Sequence, residues 1–381
     1  MTNHAKHGDG AKHGEDAHGN DDEPGTKPFG PEVAALIDRL VESAGEEIRQ
    51  AGGGHRHASG RRNGLVEDMV RTSLRLLGDG TDLGQAKIME RAMREMRNAY
   101  KVFNGWKGVR KISIFGSART PPTDPDYAMA REFSRAIAHA GMMVITGAGD
   151  GIMKAGHEGP DVDKCFGLRI RLPFEAGANS VIDGDPKLIN FRYFFTRKLM
   201  FMAHSDAVAV FPGGFGTQDE LFEALTLIQT GKSNLIPVVL LEHEGGDYWK
   251  GWEEGCVLPL ARRKLISPED RGLYSIHHDP VAAVAEIAGF YRRYHSMRFV
   301  GKDLVLRLQT QLTDAELTIF ERDFRKDLCE KDTTFRRVET APEEEEHREL
   351  PRIALQFNRR AWSRLRAFID QINAAPSRVQ S

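Results

Sequence analysis

Cysteine is scarce in this chain: Cys165, Cys256 and Cys329 are all there is in 381 residues. Far apart and odd in number, they offer no CxxC pair, zinc spacing or disulfide framework, and they read as reduced thiols. Long apolar runs are missing as well. No stretch approaches the roughly 20 residues that cross a bilayer, and the N-terminus lacks the apolar core of a signal peptide. A cytoplasmic protein with no membrane partner is therefore expected. Neither sign of charge dominates, since 53 Lys and Arg against 55 Asp and Glu leave a net charge of −2. Without a basic field, nucleic acid is not an expected partner. Residues 1–30 contain almost no large apolar side chain and cannot offset chain entropy by burial, so a disordered, His-rich tail is expected there. His4, His7, His13 and His18 in that tail read as solvated rather than as a metal site.

Two nucleotide-binding signatures are also lacking. GxxxxGK[ST] does not occur, which argues against a nucleoside triphosphatase. A dinucleotide GxGxxG should follow the first strand and precede an acidic residue about 20 positions on. The nearest approach, Gly147-x-Gly149-x-Gly151, follows the second strand and is one residue short.

What is present is the composition of a globular protein, 40% hydrophobic and 28% charged. The length suits one large domain with appendages. After the tail (1–30), helical spacing of apolar residues predicts three helices near 31–50, 63–77 and 83–104. Together they form an N-terminal helical region over 31–105. It contains a Gly-rich linker with His55 and His57.

The period then changes. KISIF (111–115), MMVIT (142–146), FGLRI (166–170), AVAVF (207–211) and LIPVVLL (235–241) are short apolar runs. Amphipathic stretches such as 127–139, Phe194–His204 and 218–230 separate them. This predicts an α/β domain over 106–298, a Rossmann-like parallel sheet with helices on both faces. A small C-terminal α/β appendage over 299–381 completes the chain. It has a strand at 304–308, a helix opened at Thr313–Asp314, an acidic run at 343–346 and an Arg-rich helix over 358–373. The acidic run reads as a solvated loop. Arg359, Arg360, Arg364 and Arg366 read as a solvated helix face, with an anionic regulator as the other reading.

In sheets of this kind ligands bind beyond the carboxyl ends of the strands. Three predicted strands end in glycine-rich turns there: Gly116–Ser117, Gly147–Ala148–Gly149–Asp150–Gly151, and Pro212–Gly213–Gly214–Phe215–Gly216–Thr217. Glycine lets the backbone approach a ligand closely. A helix start adds unpaired N–H groups and a positive dipole end, so together they suit a phosphate.

Pro212-Gly-Gly-Phe-Gly-Thr217-Gln-Asp-Glu220 resembles PGGxGTxxE, the signature of the LOG (lonely guy) family, long misnamed lysine decarboxylase-like. Arg197–Lys198, 15 residues before Pro212, is similar to the RK pair of that family. Gly147–Met153 resembles its GGGxxGLM segment, with Ala148 and Ile152 as departures. The resemblance covers about 110–290, and the chain is similar to the longer members. It implies hydrolysis of a nucleoside 5′-monophosphate, AMP-like or a cytokinin riboside monophosphate, to free base and ribose 5-phosphate. It further implies no redox cofactor or metal, and a homo-oligomer, at least a dimer, packed through the helices that follow the two motifs.

Carried onto this chain, Arg197 and Glu220 become the catalytic pair. The loop containing Gly213, Gly214, Gly216 and Thr217 holds the 5′-phosphate with Ser117, while Gly147, Gly149, Gly151 and Lys198 complete the nucleotide site. The chemistry suits the residues. Cleaving an N-glycosidic bond builds positive charge on the sugar, which a carboxylate stabilises, and the same carboxylate can orient or deprotonate water. An arginine can assist the leaving base or hold phosphate and carboxylate in register.

Each residue also has a plainer reading. Thr217-x-x-Glu220 is a capping box, a role that does not exclude catalysis. Glu223 reads equally as a ribose contact or a solvated face. Asp150 serves its turn, His204 caps its helix, and Met200 and Met202 pack. Asn190, Arg192 and Phe194 are candidates for the base pocket. A non-catalytic nucleotide sensor or cofactor carrier is the competing function, as related Rossmann-like proteins include a molybdenum-cofactor carrier. Decarboxylation follows only from the old family name, because no lysine here has a recognisable pyridoxal-phosphate context.

Overall fold

The computed structural model describes residues 29–50, 60–172, 177–341, 344 and 346–375. The His-rich tail up to residue 28, the linker around His55 and His57, and Glu343 and Glu345 of the acidic run lie outside the described residues. The chain divides into two compact units, Met1–Arg94 and Glu95–Ser381. Three helices precede the first strand: α1 (Pro31–Gln50), α2 (Gly60–Arg75) and α3 (Leu83–Phe103). Arg71 of α2 joins α1 through Asp38 at 2.7 Å. No helix among the described residues is long and apolar enough to cross a membrane.

Strands and helices then alternate in the order β1 (Lys111–Phe115), α4 (Pro125–His139), β2 (Met143–Thr146), α5 (Ile152–Glu158), β3 (Cys165–Ile170), β4 (Leu188–Phe191), α6 (Phe194–His204), β5 (Ala207–Val210), α7 (Phe215–Gln229), β6 (Val238–Leu241), α8 (Tyr248–Trp252), α9 (Leu258–Arg262), β7 (Ser275–His277) and α10 (Pro280–Phe290). The seven strands pair in parallel in the order β4-β3-β2-β1-β5-β6-β7. Five of them were expected. The other two, β4 and β7, are the edges. They are short and only partly buried, so they lack the continuous apolar run that marks an inner strand.

The sheet is buried on both faces because successive side chains point opposite ways. Met143, Ile145, Val208, Val210, Val238 and Leu240 join Met200 and Phe201 of α6 and Leu221, Ala224 and Ile228 of α7 in one core. Val144, Ala207, Ala209, Val239 and Leu241 join Phe133 and Ile137 of α4, Ile152 and Ala155 of α5, and Ile287 of α10 in the other. From β1 the chain winds outward through β2, β3 and β4, then returns to β5 on the opposite side of β1. The two halves therefore diverge between β1 and β5, the switch point beyond whose strand ends sheets of this kind form the ligand crevice.

A second, antiparallel sheet contains β8 (Tyr294–Val300), β9 (Asp303–Leu308), β10 (Arg336–Arg337) and β11 (Arg352–Leu355) in the order β10-β11-β9-β8. It is accompanied by α11 (Asp314–Leu328) and α12 (Trp362–Ala374). Thr313 and Glu316 form a reciprocal capping box at the start of α11.

Two expectations fail in this region. The acidic run is not wholly a solvated loop. Glu344 is 3% exposed and accepts hydrogen bonds from Arg307 and from Arg352, the latter at 3.1 Å. Burial pushes its carboxyl up, but the bonds from Arg352 and Arg307 outweigh that and hold it below the usual range. Nor do the C-terminal arginines form one solvated face. Arg366 is buried and pairs with Asp370 at 3.0 Å and Glu286 at 3.3 Å, while Arg364 pairs with Asp327 at 2.8 Å. Arg359 and Arg360 precede the helix. In each case the partner is remote in sequence or on the next helical turn, so composition alone suggested exposure.

Candidate functional site

The three glycine turns converge at the crevice. Ser117 after β1 donates its N–H to Pro212 O after β5 at 3.1 Å, and its own carbonyl accepts from Ile152 N–H at 3.0 Å. Gly151 has φ +61°, and a Cβ there would lie 2.2 Å from Ser117 O, so both conformation and space require glycine. A Cβ on Gly213 would lie 2.2 Å from Thr217 Oγ1 and 3.0 Å from Ser117 N. On Gly214 and Gly216 it would meet nothing within 4 Å, so there the absent side chains leave open space.

The helix after β5 begins earlier than its sequence suggested. α7 starts at Phe215 with Gly214 at its N-cap, and no side-chain hydrogen bond caps it. Thr217 and Glu220 are therefore not a capping box; they sit at the third and sixth helical positions. The Gly213–Gly214 turn carries the chain into helix before Thr217 is reached. The first intrahelical bond runs from Gln218 N–H to Gly214 O at 3.0 Å, which leaves the N–H groups of the first turn without intrahelical acceptors.

One turn later, Glu220 lies on the buried stripe of α7 with Thr217, Leu221, Ala224 and Ile228. It is 7% exposed and meets Arg197 of α6, whose Nη2 donates to Oε1 at 3.3 Å. A Cβ on Gly147 would lie 3.8 Å from Arg197 Nη1, so the β2 turn borders the same pair. Burial pushes the Glu220 carboxyl up to about 7; Arg197 and Lys198 pull the other way without cancelling it. The group thus exchanges protons near neutral pH, a property suited to general acid–base work.

Lys198 is held differently from its expected role on the nucleotide. Its Nζ lies 2.5 Å from Glu223, 2.9 Å from Asp219 and 3.9 Å from Glu220. Burial lowers its basicity, but the hydrogen bonds it donates to Glu223 and Asp219 more than restore it. Glu223 is accordingly engaged with Lys198.

Other candidates separate. Phe194 is 50% exposed and lies under the Arg197 guanidinium at 5.1 Å, beside the pair. Asn190 lies in β4 opposite Arg169, and no hydrogen bond described for either Asn190 or the Arg192 side chain joins it to the pair. Asp150 is exposed on its turn. Met200 is in the core. His204, expected as a cap, instead stacks on Phe103 at 3.8 Å. Burial, helped by the charge of Lys111, lowers its pKa to about 4.

Residues with no sequence motif support the turns. The hydroxyl of Tyr248 donates to Gly213 O at 2.5 Å and accepts from Gln218 Nε2 at 2.8 Å. Under the β2 turn, Ala148 adopts φ +60°, unusual for a residue with a Cβ. Asn179 secures that turn: its N–H donates to Ala148 O at 2.8 Å and its Nδ2 to Gly149 O at 2.9 Å. Buried His157 backs Asn179, accepting at Nδ1 (3.1 Å) and donating from Nε2 to Phe166 O (3.0 Å). Burial lowers its pKa, which favours this neutral tautomer. These partners lie 9 to 35 positions apart in the chain, and no local pattern announces them.

Residues 135–287 match the family described as "Possible lysine decarboxylase". Over 87 residues the chain is 40% identical to the probable cytokinin riboside 5′-monophosphate phosphoribohydrolase LOG6 of Arabidopsis thaliana, a match covering 20% of this chain and 42% of that protein. Over 175 residues it is 27% identical to the corresponding probable LOG4 enzyme of Oryza sativa subsp. japonica, covering 43% of this chain and 74% of that one. The first of these alignments thus spans less than half of the plant protein. Among solved structures, the molybdenum cofactor carrier protein of Chlamydomonas reinhardtii is similar at 22% identity with a TM-score of 0.33, over 47% of this chain and 96% of that one.

Proposed function

We propose that the chain is a member of the LOG family, as the match over residues 135–287 supports, and that it hydrolyses a nucleoside 5′-monophosphate to free base and ribose 5-phosphate. The observation that carries the reading is the contact between Glu220 and Arg197, 3.3 Å apart, with Glu220 on the helix whose start is uncapped. The helix start suits the 5′-phosphate, together with Ser117, Gly213, Gly214, Gly216 and Thr217. The β2 turn with Gly147, Gly149 and Gly151 borders the sugar.

Glu220, ionised, takes a proton from water as the water attacks C1′. The C1′–N bond breaks, the C1′–O bond forms, and the departing base gains the proton. Arg197 orients the carboxylate and holds its charge beside the developing positive charge on ribose. Lys198, bound to Glu223 and Asp219, sets the potential around Glu220. No metal or redox step is needed to balance the reaction. The substrate class is AMP-like nucleotides, including the cytokinin riboside monophosphates named for the plant relatives.

Incubation with a panel of nucleoside monophosphates, with free base detected chromatographically, tests the proposal. Because Glu220 must be ionised and its pKa is about 7, kcat should rise with pH through roughly that value. Binding without release of base from any nucleotide in the panel would instead indicate a sensor or carrier.

We also propose that the active form is a homo-oligomer built on α6 and α7. Phe195, Leu199, Phe215 and Phe222 on these helices are 36–97% exposed, more apolar surface than isolated residues usually present. A second copy of the chain would cover it. Light scattering at micromolar concentration should give at least twice the mass of one chain, and a monomer there contradicts this assembly.

A further inference from the structure

α6 carries Arg197 yet has no side-chain cap of its own: Tyr193 occupies the N-cap and makes no side-chain capping bond. An acceptor comes from elsewhere. Glu95 of α3, 6% exposed, accepts the Arg192 N–H at 2.8 Å through one carboxylate oxygen and the Thr196 hydroxyl at 2.7 Å through the other. A carboxylate at a helix N-terminus also meets the positive end of the helix dipole. The opposite end of α6 is gripped by the same helix, because Phe103 stacks on His204 at 3.8 Å and Tyr100 meets its edge at 5.7 Å. Eight positions separate Glu95 from Phe103, and eight separate Thr196 from His204. At 1.5 Å per residue both spans are about 12 Å, so the two grips match in length. Thr196 is fully buried and directly precedes Arg197.

We propose that Glu95 is a positioning residue for the reaction: by holding the first turn of α6 it sets Arg197 against Glu220. Glu95 lies outside the segment matched to the family, 135–287, so the device belongs to the helical region that precedes the sheet. The proposal rests on the hydrolase reading above for its kinetic consequences, but not for its electrostatic one. Glu220 faces Arg197 and Lys198 from α6 and Asp219 and Glu223 from its own helix. The two cations hold its proton affinity down. If the start of α6 loosens, that restraint weakens and Glu220 titrates at higher pH.

The test uses the full chain with Glu95→Ala and Glu95→Gln. In the Ala variant kcat for AMP should fall about 10-fold or more with KM within about threefold, since the phosphate turns are untouched. The ascending limb of its pH–rate profile should move upward. Glutamine can preserve both contacts, its carbonyl accepting from Arg192 N–H and its amide donating to Thr196 Oγ1, whose proton turns to Tyr193 O at 3.0 Å. Most of kcat should therefore return. Independently of turnover, carboxyl-carbon NMR should show Glu220 titrating about half a pH unit or more higher in the Ala variant than in the wild type. If Glu95→Ala does not fold, Thr196→Val removes one of the two bonds and should shift the titration in the same direction. An unshifted Glu220 titration in a folded variant, or glutamine losing as much kcat as alanine, overturns the proposal. A wild type that never releases base would sink the hydrolase reading while the titration still decides this one.

Discussion

Glu220→Gln is expected to lower kcat on the order of 10²-fold or more while AMP still binds. An amide neither takes a proton from water nor offsets positive charge on ribose, and loss of such a group typically removes that much rate. The phosphate turns lie a helical turn or more from the change, so affinity measured by calorimetry should stay within a few-fold. Stability should not suffer. Glu220 makes no capping bond at the start of α7, and burial already penalises its charge, raising its pKa to about 7. A carboxyl with a raised folded pKa favours folding most when protonated and loses that contribution as pH rises through about 7. The neutral glutamine avoids this loss, so the variant's Tm at pH 8 should match or exceed that of the wild type. Near wild-type turnover would remove Glu220 from the chemistry.

Removing the 5′-phosphate from the substrate is the second large effect. Adenosine should be cleaved with kcat/KM lower than AMP by roughly 10²- to 10⁴-fold, the equivalent of losing two charge-assisted hydrogen bonds at about 1.5–3 kcal/mol each. Equal rates for the two substrates would contradict the phosphate assignment. Gly216→Ala sharpens the test. Alanine at this helical position improves helix propensity by up to about 1 kcal/mol, and its Cβ would touch nothing within 4 Å. Folding should be unharmed. Side chains on a helix lean toward its N-terminus, so the methyl enters the space assigned to the anion and should weaken AMP more than adenosine.

Much of the architecture was legible because it depends on short-range pattern. The inner strands announced themselves as apolar runs, and the turns after β1, β2 and β5 as glycine clusters. The edge strands β4 and β7 did not, since partial burial leaves them without a distinctive composition. The start of α7 was misjudged for a related reason. Thr217-x-x-Glu220 fits the local rules for a cap, but the Gly213–Gly214 turn brings the helix in three residues earlier. Glu344 and Arg366 look like surface charges until Arg307, Arg352, Glu286 and Asp370 are brought beside them.

The sequence by itself determined the alternation of strands and helices, the glycine turns that open toward a ligand, and the pairing of an RK dipeptide with a PGG motif. These are properties of residues and their neighbours. Only the tertiary structure decided that Glu220 faces inward to Arg197, that Lys198 is shared among three carboxylates, and that Tyr248, Asn179 and Glu95 steady the elements around them. The physical reason is burial. Desolvation raises the proton affinity of Glu220 and makes each buried polar group require a partner, and those partners come from parts of the chain that meet only when the sheet assembles.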